Sequence, residues 1–94
     1  MKPEFDADKS IYLQIAESIE DEILKQTIPE ETQVFSTNQL AVRYRINPAT
    51  AAKGLNRLVT EGILYKKRGL GMFVARGAVD LIQKKRKDAF YAKY

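Results

Sequence analysis

Two helix-start signals lie close together in the middle of the chain, and they constrain the fold more than any other feature. Ser36-Thr37-Asn38-Gln39 has the Ser-x-x-Gln spacing of a capping box. There the serine and glutamine side chains each satisfy a backbone N–H left without a partner at the helix start. Asn47-Pro48 follows soon after. Asparagine is a favoured N-cap, and proline at the first helical position gives up no hydrogen bond. Leu40, Ala41 and Tyr44 supply an inner face between the two signals. A short helix of about two to three turns must therefore stop, turn through Arg45-Ile46 and restart, which is a helix–turn–helix arrangement.

The flanks fill in the rest. Ile11, Tyr12, Ile15, Ala16, Ile19, Ile23 and Leu24 form a helical stripe, ended by Pro29 and the polar run Glu30-Glu31-Thr32. Glu17, Glu20, Asp21 and Glu22 fall mostly away from that stripe and read as a solvated acidic face. The third helix is predicted from Pro48 to Glu61, with Gly62 as the left-handed residue after it. Ala51, Leu55 and Leu58 point together. Gly54, which costs about 1 kcal/mol relative to alanine in a helix, is tolerable where two helices approach closely.

Ile63-Leu64-Tyr65 and Met72-Phe73-Val74 are β-prone and enclose Lys66-Lys67-Arg68-Gly69-Leu70-Gly71, a hairpin with a basic tip. Gly69-Leu70-Gly71 lacks the third glycine and the strand-to-helix setting of a nucleotide fingerprint. The predicted fold is mainly α with a small β-hairpin: a winged helix–turn–helix of three-helix core plus wing, followed by a C-terminal helix. Residues 1–9 are expected to be a mobile polar arm, 10–76 the winged domain and 77–94 the last helix.

Composition narrows the function. The 94 residues include no cysteine and no histidine. That removes disulfides, thiolate–imidazole metal sites and every nucleophile–histidine triad, so neither an enzyme nor a cofactor is expected. A domain this size buries about 60–65% of its unfolded surface, too little for a deep cleft. The N-terminus shows no secretory h-region and no stretch approaches a membrane span, so a cytoplasmic protein is expected. Charge is segregated. Residues 1–34 carry nine acids against three lysines, and residues 35–94 carry thirteen Lys/Arg against three acids. A basic back half of this strength suits a polyanion.

Double-stranded DNA is the partner these parts imply. A helix fits the major groove and meets base edges near its N-terminal end. Here the outward face of the third helix offers Ala49, Thr50, Lys53, Asn56 and Arg57, with Asn47 chiefly a cap. Both capped helix starts, at Ser36, Thr37 and Asn38 and at Asn47, present backbone N–H groups to phosphate. Lys66, Lys67 and Arg68 reach the flanking backbone, and Gly69 and Gly71 permit close approach. Thr50, Lys53 and Asn56 are expected to read bases, Arg57 and the wing lysines to hold phosphates. Tyr12, Tyr44, Tyr65 and Phe73 coincide with apolar positions and read as packing residues.

Four separated segments also resemble the GntR family of bacterial transcription regulators: Ile11-Tyr12-Leu13-Gln14-Ile15, Ser36 to Ala41, Ile46 to Ala51, and Glu61-Gly62-Ile63 through Val74. Asn47-Pro48-Ala49-Thr50 and Arg68-Gly69-Leu70-Gly71-Met72-Phe73-Val74 are similar to its YtrA subfamily in particular. The resemblance implies a homodimeric repressor on an inverted-repeat operator, commonly of an ABC transporter operon, dimerising through a short helical tail. Leu81, Ile82, Ala89 and Phe90 are the tail's candidate contacts. Three departures bear on base reading: Asn38, Pro48 and Ala52 stand where the wider family often has arginines. The basic run Lys84 to Lys87 reads as a solvated linker helix, a flank of the dimer contact, or a membrane-surface anchor. A winged helix that docks an acidic protein partner is the alternative function.

Overall fold

The computed structural model describes the backbone of residues 10–92 and the side chains of residues 10–89; the arm expected at 1–9 lies outside the described residues. The elements run α1 (Ile11–Leu24), α2 (Thr37–Tyr44), α3 (Pro48–Thr60), β1 (Leu64–Lys67), β2 (Gly71–Val74) and α4 (Ala78–Ala92). This is the winged arrangement the sequence predicts.

The stripe of α1 buries Ile15, Ala16, Ile19 and Ile23 against Ala51, Leu55 and Leu58 of α3, with Leu40 and Ala41 of α2 closing the core. α1 and α3 touch at Gly54. A Cβ there would lie 3.1 Å from the Tyr12 carbonyl oxygen and 3.5 Å from Ile15, so glycine's cost in the helix is the condition for this close crossing.

The caps form as expected. The Gln39 N–H donates to Ser36 Oγ at 3.1 Å while the Ser36 N–H donates to Gln39 Oε1 at 2.9 Å. Arg45 takes a left-handed conformation (φ 55°) and the Ile46 N–H returns to the Ala41 carbonyl at 3.0 Å, which closes α2 and starts the turn. At the next start, the Ala49 N–H donates to Asn47 Oδ1 at 2.7 Å. After α3, Gly62 is left-handed (φ 80°). The Gly62 and Ile63 N–H groups bond back to Val59 and Leu58, each at 3.0 Å. This is a Schellman ending, completed by apolar contact of the kind Leu58 and Ile63 make in the core.

β1 and β2 pair antiparallel, from Leu64 opposite Val74 to Lys67 opposite Gly71. The segment before α2, expected only to end α1, also joins β2. The Glu31 N–H donates to the Val74 carbonyl at 2.8 Å, the Val74 N–H to Thr32 at 2.9 Å, and the Val34 N–H to Met72 at 2.9 Å. Buried Val34 anchors this edge, and the acids around it hide its strand character from a sequence reading.

The last helix departs most from expectation. Ala78 and Ile82 are fully buried, so the first half of α4 belongs to the core. Ile82 therefore packs within its own chain and has no surface to offer in a dimer. The acidic face of α1 is not uniformly solvated either: Glu20 is fully buried. Its carboxylate accepts from Lys85 Nζ and from Arg86 Nη2, and Arg86 Nη1 lies 2.9 Å from Asp21 Oδ1. Lys85 and Arg86 are thus committed to ion pairs. A buried carboxylate requires such partners, because desolvation of a lone charge is prohibitive.

Candidate nucleic-acid interface

Ser36 and Asn38 of the α2 start are exposed and Thr37 is half-buried. The Ser36 hydroxyl is engaged by its cap, so backbone N–H groups, together with Asn38, are what this end presents. On α3, Ala49, Lys53, Asn56 and Arg57 are exposed, whereas Thr50 is half-buried. Asn47 is exposed and capped as expected. Lys66, Lys67, Arg68, Gly69 and Gly71 are all exposed on the wing.

Wing and α2 start share a groove. Phe35, Ser36 and Thr37 form one wall, Lys66 through Met72 the other, and Leu55 of α3 lies between them. A second concavity joins Lys53, Asn56 and Arg57 to Tyr12 of α1.

Three exposed cations rest on aromatic rings. Lys53 Nζ is 4.3 Å from the Tyr12 ring centroid, Lys67 Nζ is 4.4 Å from that of Phe73, and the Arg43 guanidinium is 4.9 Å from that of Phe35. A ring attracts a cation through its quadrupole without neutralising its charge. Among the described residues, Lys53, Lys66, Lys67 and Arg68 have no carboxylate partner. Arg57 does: its Nε donates to Glu61 Oε2 at 3.1 Å. The four aromatic residues expected to pack are half-buried. Tyr44 shares a 2.6 Å hydroxyl–hydroxyl bond with Ser18, and the Tyr65 ring lies 6.1 Å from Phe73.

Several contributors escaped the sequence reading. Gln33 Nε2 donates to the Leu70 carbonyl at 2.7 Å and ties the wing tip to the segment before α2. A Cβ at Gly71, which has φ 118°, would lie 2.7 Å from that same nitrogen. Leu70 is the exposed apolar residue at the tip, at 63% of its full exposure. Arg43 and Arg45 add exposed cations beside the turn. Their basic character was visible, but no local pattern fixed their direction.

Two further charges set where α4 lies. The Gly77 and Val79 N–H groups donate to the Glu30 carboxylate at 3.0 and 3.1 Å. Those bonds from the open helix start hold its pKa below the ordinary carboxylate value. Burial opposes the charge on Lys85, but hydrogen bonds from its ammonium to Glu20 and Glu61 outweigh that, leaving its pKa raised.

No helix among the described residues is long and apolar enough to cross a membrane. No group of acidic side chains among them could hold a metal ion.

The family described as bacterial regulatory proteins, gntR family, matches residues 11–74. The HTH-type transcriptional regulator YhcF of Bacillus subtilis (strain 168) is 30% identical over 78 residues, covering 83% of this chain and 64% of YhcF. The HTH-type transcriptional repressor NagR of the same organism is 32% identical over 66 residues, covering 70% of this chain and 27% of NagR. This chain thus spans less than two thirds of either relative.

Among solved structures, a GntR-family transcriptional regulator from Bacteroides thetaiotaomicron is 41% identical. It superposes with a TM-score of 0.76 over 86% of this chain and 69% of its own. The AraR DNA-binding domain in complex with operator ORX1 superposes with a TM-score of 0.69 at 26% identity, over 80% of this chain and 92% of its own.

Proposed function

We propose that this chain, which belongs to the gntR family of bacterial regulatory proteins, is a transcription regulator that represses by binding an inverted-repeat DNA operator as a homodimer. The observation that carries the reading is that exposed Lys53 on α3 and Lys66, Lys67 and Arg68 on the wing have no carboxylate partner among the described residues, beside two capped helix starts. Likeness to a domain solved on its operator and to a named repressor supports the assignment.

Thr50, Lys53 and Asn56 are assigned to base edges. Lys53 leaves the Tyr12 ring to reach them, and half-buried Thr50 offers its hydroxyl near the start of α3. Arg57 and the wing cations hold phosphates. The dimer forms through the outer side of α4, where Leu81 retains 43% exposure and Ala89 is exposed. Phe90, the remaining candidate contact, has its side chain outside the described residues. The Asn47-to-Thr50 and Arg68-to-Val74 motifs favour the YtrA subfamily, whose members commonly control ABC transporter operons, and the bacterial cytoplasm is where such a regulator works.

The test is a fluorescence-anisotropy titration with a palindromic duplex from the protein's own promoter, competed with random duplex. A preference of about 10³-fold or more is expected for specific recognition. A ratio near unity would instead favour docking of an acidic protein partner. Thr50→Ala and Lys53→Ala should change which sequences are preferred, while Lys67→Ala should weaken all duplexes alike.

A further inference from the structure

We infer that Glu61 is a built-in competitor for phosphate at Arg57, and that Lys85 of α4 is a positioning residue that draws Glu61 off it. The inference rests on the DNA-binding reading and concerns a cation assigned there to the backbone. Glu61 is the single acid between residues 35 and 79, and it sits at the C-terminal end of the helix that carries Arg57. Its two oxygens are divided. Oε2 accepts from Arg57 Nε at 3.1 Å, and Oε1 accepts from Lys85 Nζ at 2.7 Å.

The two cations pull the carboxylate in different directions. Arg57 is on the exposed side of α3, with 46% of its side chain in water, and Glu61 holds it through Nε alone. Lys85 is itself fixed, because its ammonium also donates to the fully buried carboxylate of Glu20. Anchored there, Lys85 neutralises part of Glu61 from behind. A phosphate approaching Arg57 meets a guanidinium whose competing anion is half-claimed elsewhere. Without Lys85, Glu61 would repel the phosphate with its full charge and hold Arg57 more firmly. The seat of α4 on α1 thereby sets how strongly α3 grips a nucleic-acid backbone.

A phosphate contact is independent of sequence, so the probe is a random-sequence duplex, titrated against the full chain over a range of salt concentrations. Glu61→Gln should bind roughly two- to fivefold more tightly at low salt, the span of an exposed ion pair. Its salt dependence should steepen by about 0.9 in log–log slope, one phosphate's worth. Arg57→Gln should weaken binding and erase the gain from Glu61→Gln. Lys85→Met should weaken binding about twofold in the wild-type background, a loss within the range for one exposed pair, and have no effect in the Glu61→Gln background.

Weaker binding by Glu61→Gln would show that the carboxylate orients Arg57, and would overturn the inference. So would a gain that survives Arg57→Gln, or a Lys85→Met loss that is equal in both backgrounds, since either marks a plain net-charge effect. Thermal melting identifies a Lys85→Met chain that fails to fold, and the Glu61–Arg57 cycle then decides alone. No salt-dependent duplex binding by the wild-type chain would overturn the functional reading and this inference together. Binding that the variants leave unchanged would overturn the inference only.

Discussion

Cations are handled in opposite ways on two sides of this small domain. Where α4 meets α1, Lys85 and Arg86 are spent on a buried carboxylate, Glu20, and on Asp21 and Glu61 beside it. On the wing and α3 side, Lys53 and Lys67 rest on tyrosine and phenylalanine rings. The first arrangement removes charge from solvent and fastens two helices. The second holds long side chains near the protein while leaving their charge available. Lysine and arginine serve in both places; what separates a fastened cation from an available one is the partner it is given. Arg57 stands at the border, with one carboxylate shared between the two regimes.

The sharpest way to break this contrast is to remove the wing's charge. Replacing Lys66, Lys67 and Arg68 together by alanine should weaken random-duplex binding by about a hundredfold at low salt and flatten its salt dependence. Stability should change by no more than about 0.5 kcal/mol, as for ordinary surface substitutions, in urea denaturation. A large loss of stability would mean that the wing cations also fasten the fold.

Glu20→Ala should do the reverse. Breaking a buried pair costs about 3–5 kcal/mol, but Lys85 and Arg86 keep over a third of their side-chain surface in water, so roughly 2 kcal/mol is expected. The same denaturation series measures it.

The smallest effect sharpens the α4 side. The folded-state pKa of Glu30 is depressed by the backbone N–H groups of Gly77 and Val79. Its contribution is therefore fully present above the unfolded carboxylate pKa and is lost as pH falls through the lower folded value. Melting temperatures measured from neutral pH into the acid range should show a shallower decline for Glu30→Gln than for wild type.

Local rules carried most of the fold. The capping box at Ser36, the Asn47-Pro48 start, the glycine ending at Gly62 and the close approach at Gly54 each depend on a few neighbouring residues, and each forms as read. For the candidate site, exposure was legible in the same way: Lys53, Asn56, Arg57 and the wing cations lie exposed where helical and hairpin periodicity put them. Long-range pairing was not legible. Glu20 flanks the α1 stripe, and its burial depends on cations 65 residues away, at Lys85. Glu30 caps a helix that begins 48 positions later, at Ala78, because neither Arg76 nor Gly77 has a side chain able to cap it. Thr50 looks outward on a helical wheel, yet is partly covered by its surroundings, which a single-helix projection cannot include.

The bond from Gln33 to the Leu70 carbonyl has a kinetic as well as a structural side. A free hairpin tip samples many arrangements, and freezing it on contact opposes association through lost entropy. Here one hydrogen bond already ties the tip to the segment leading into α2, so part of that ordering precedes contact. A tip tied in this way follows a mismatched surface less readily than a free one would.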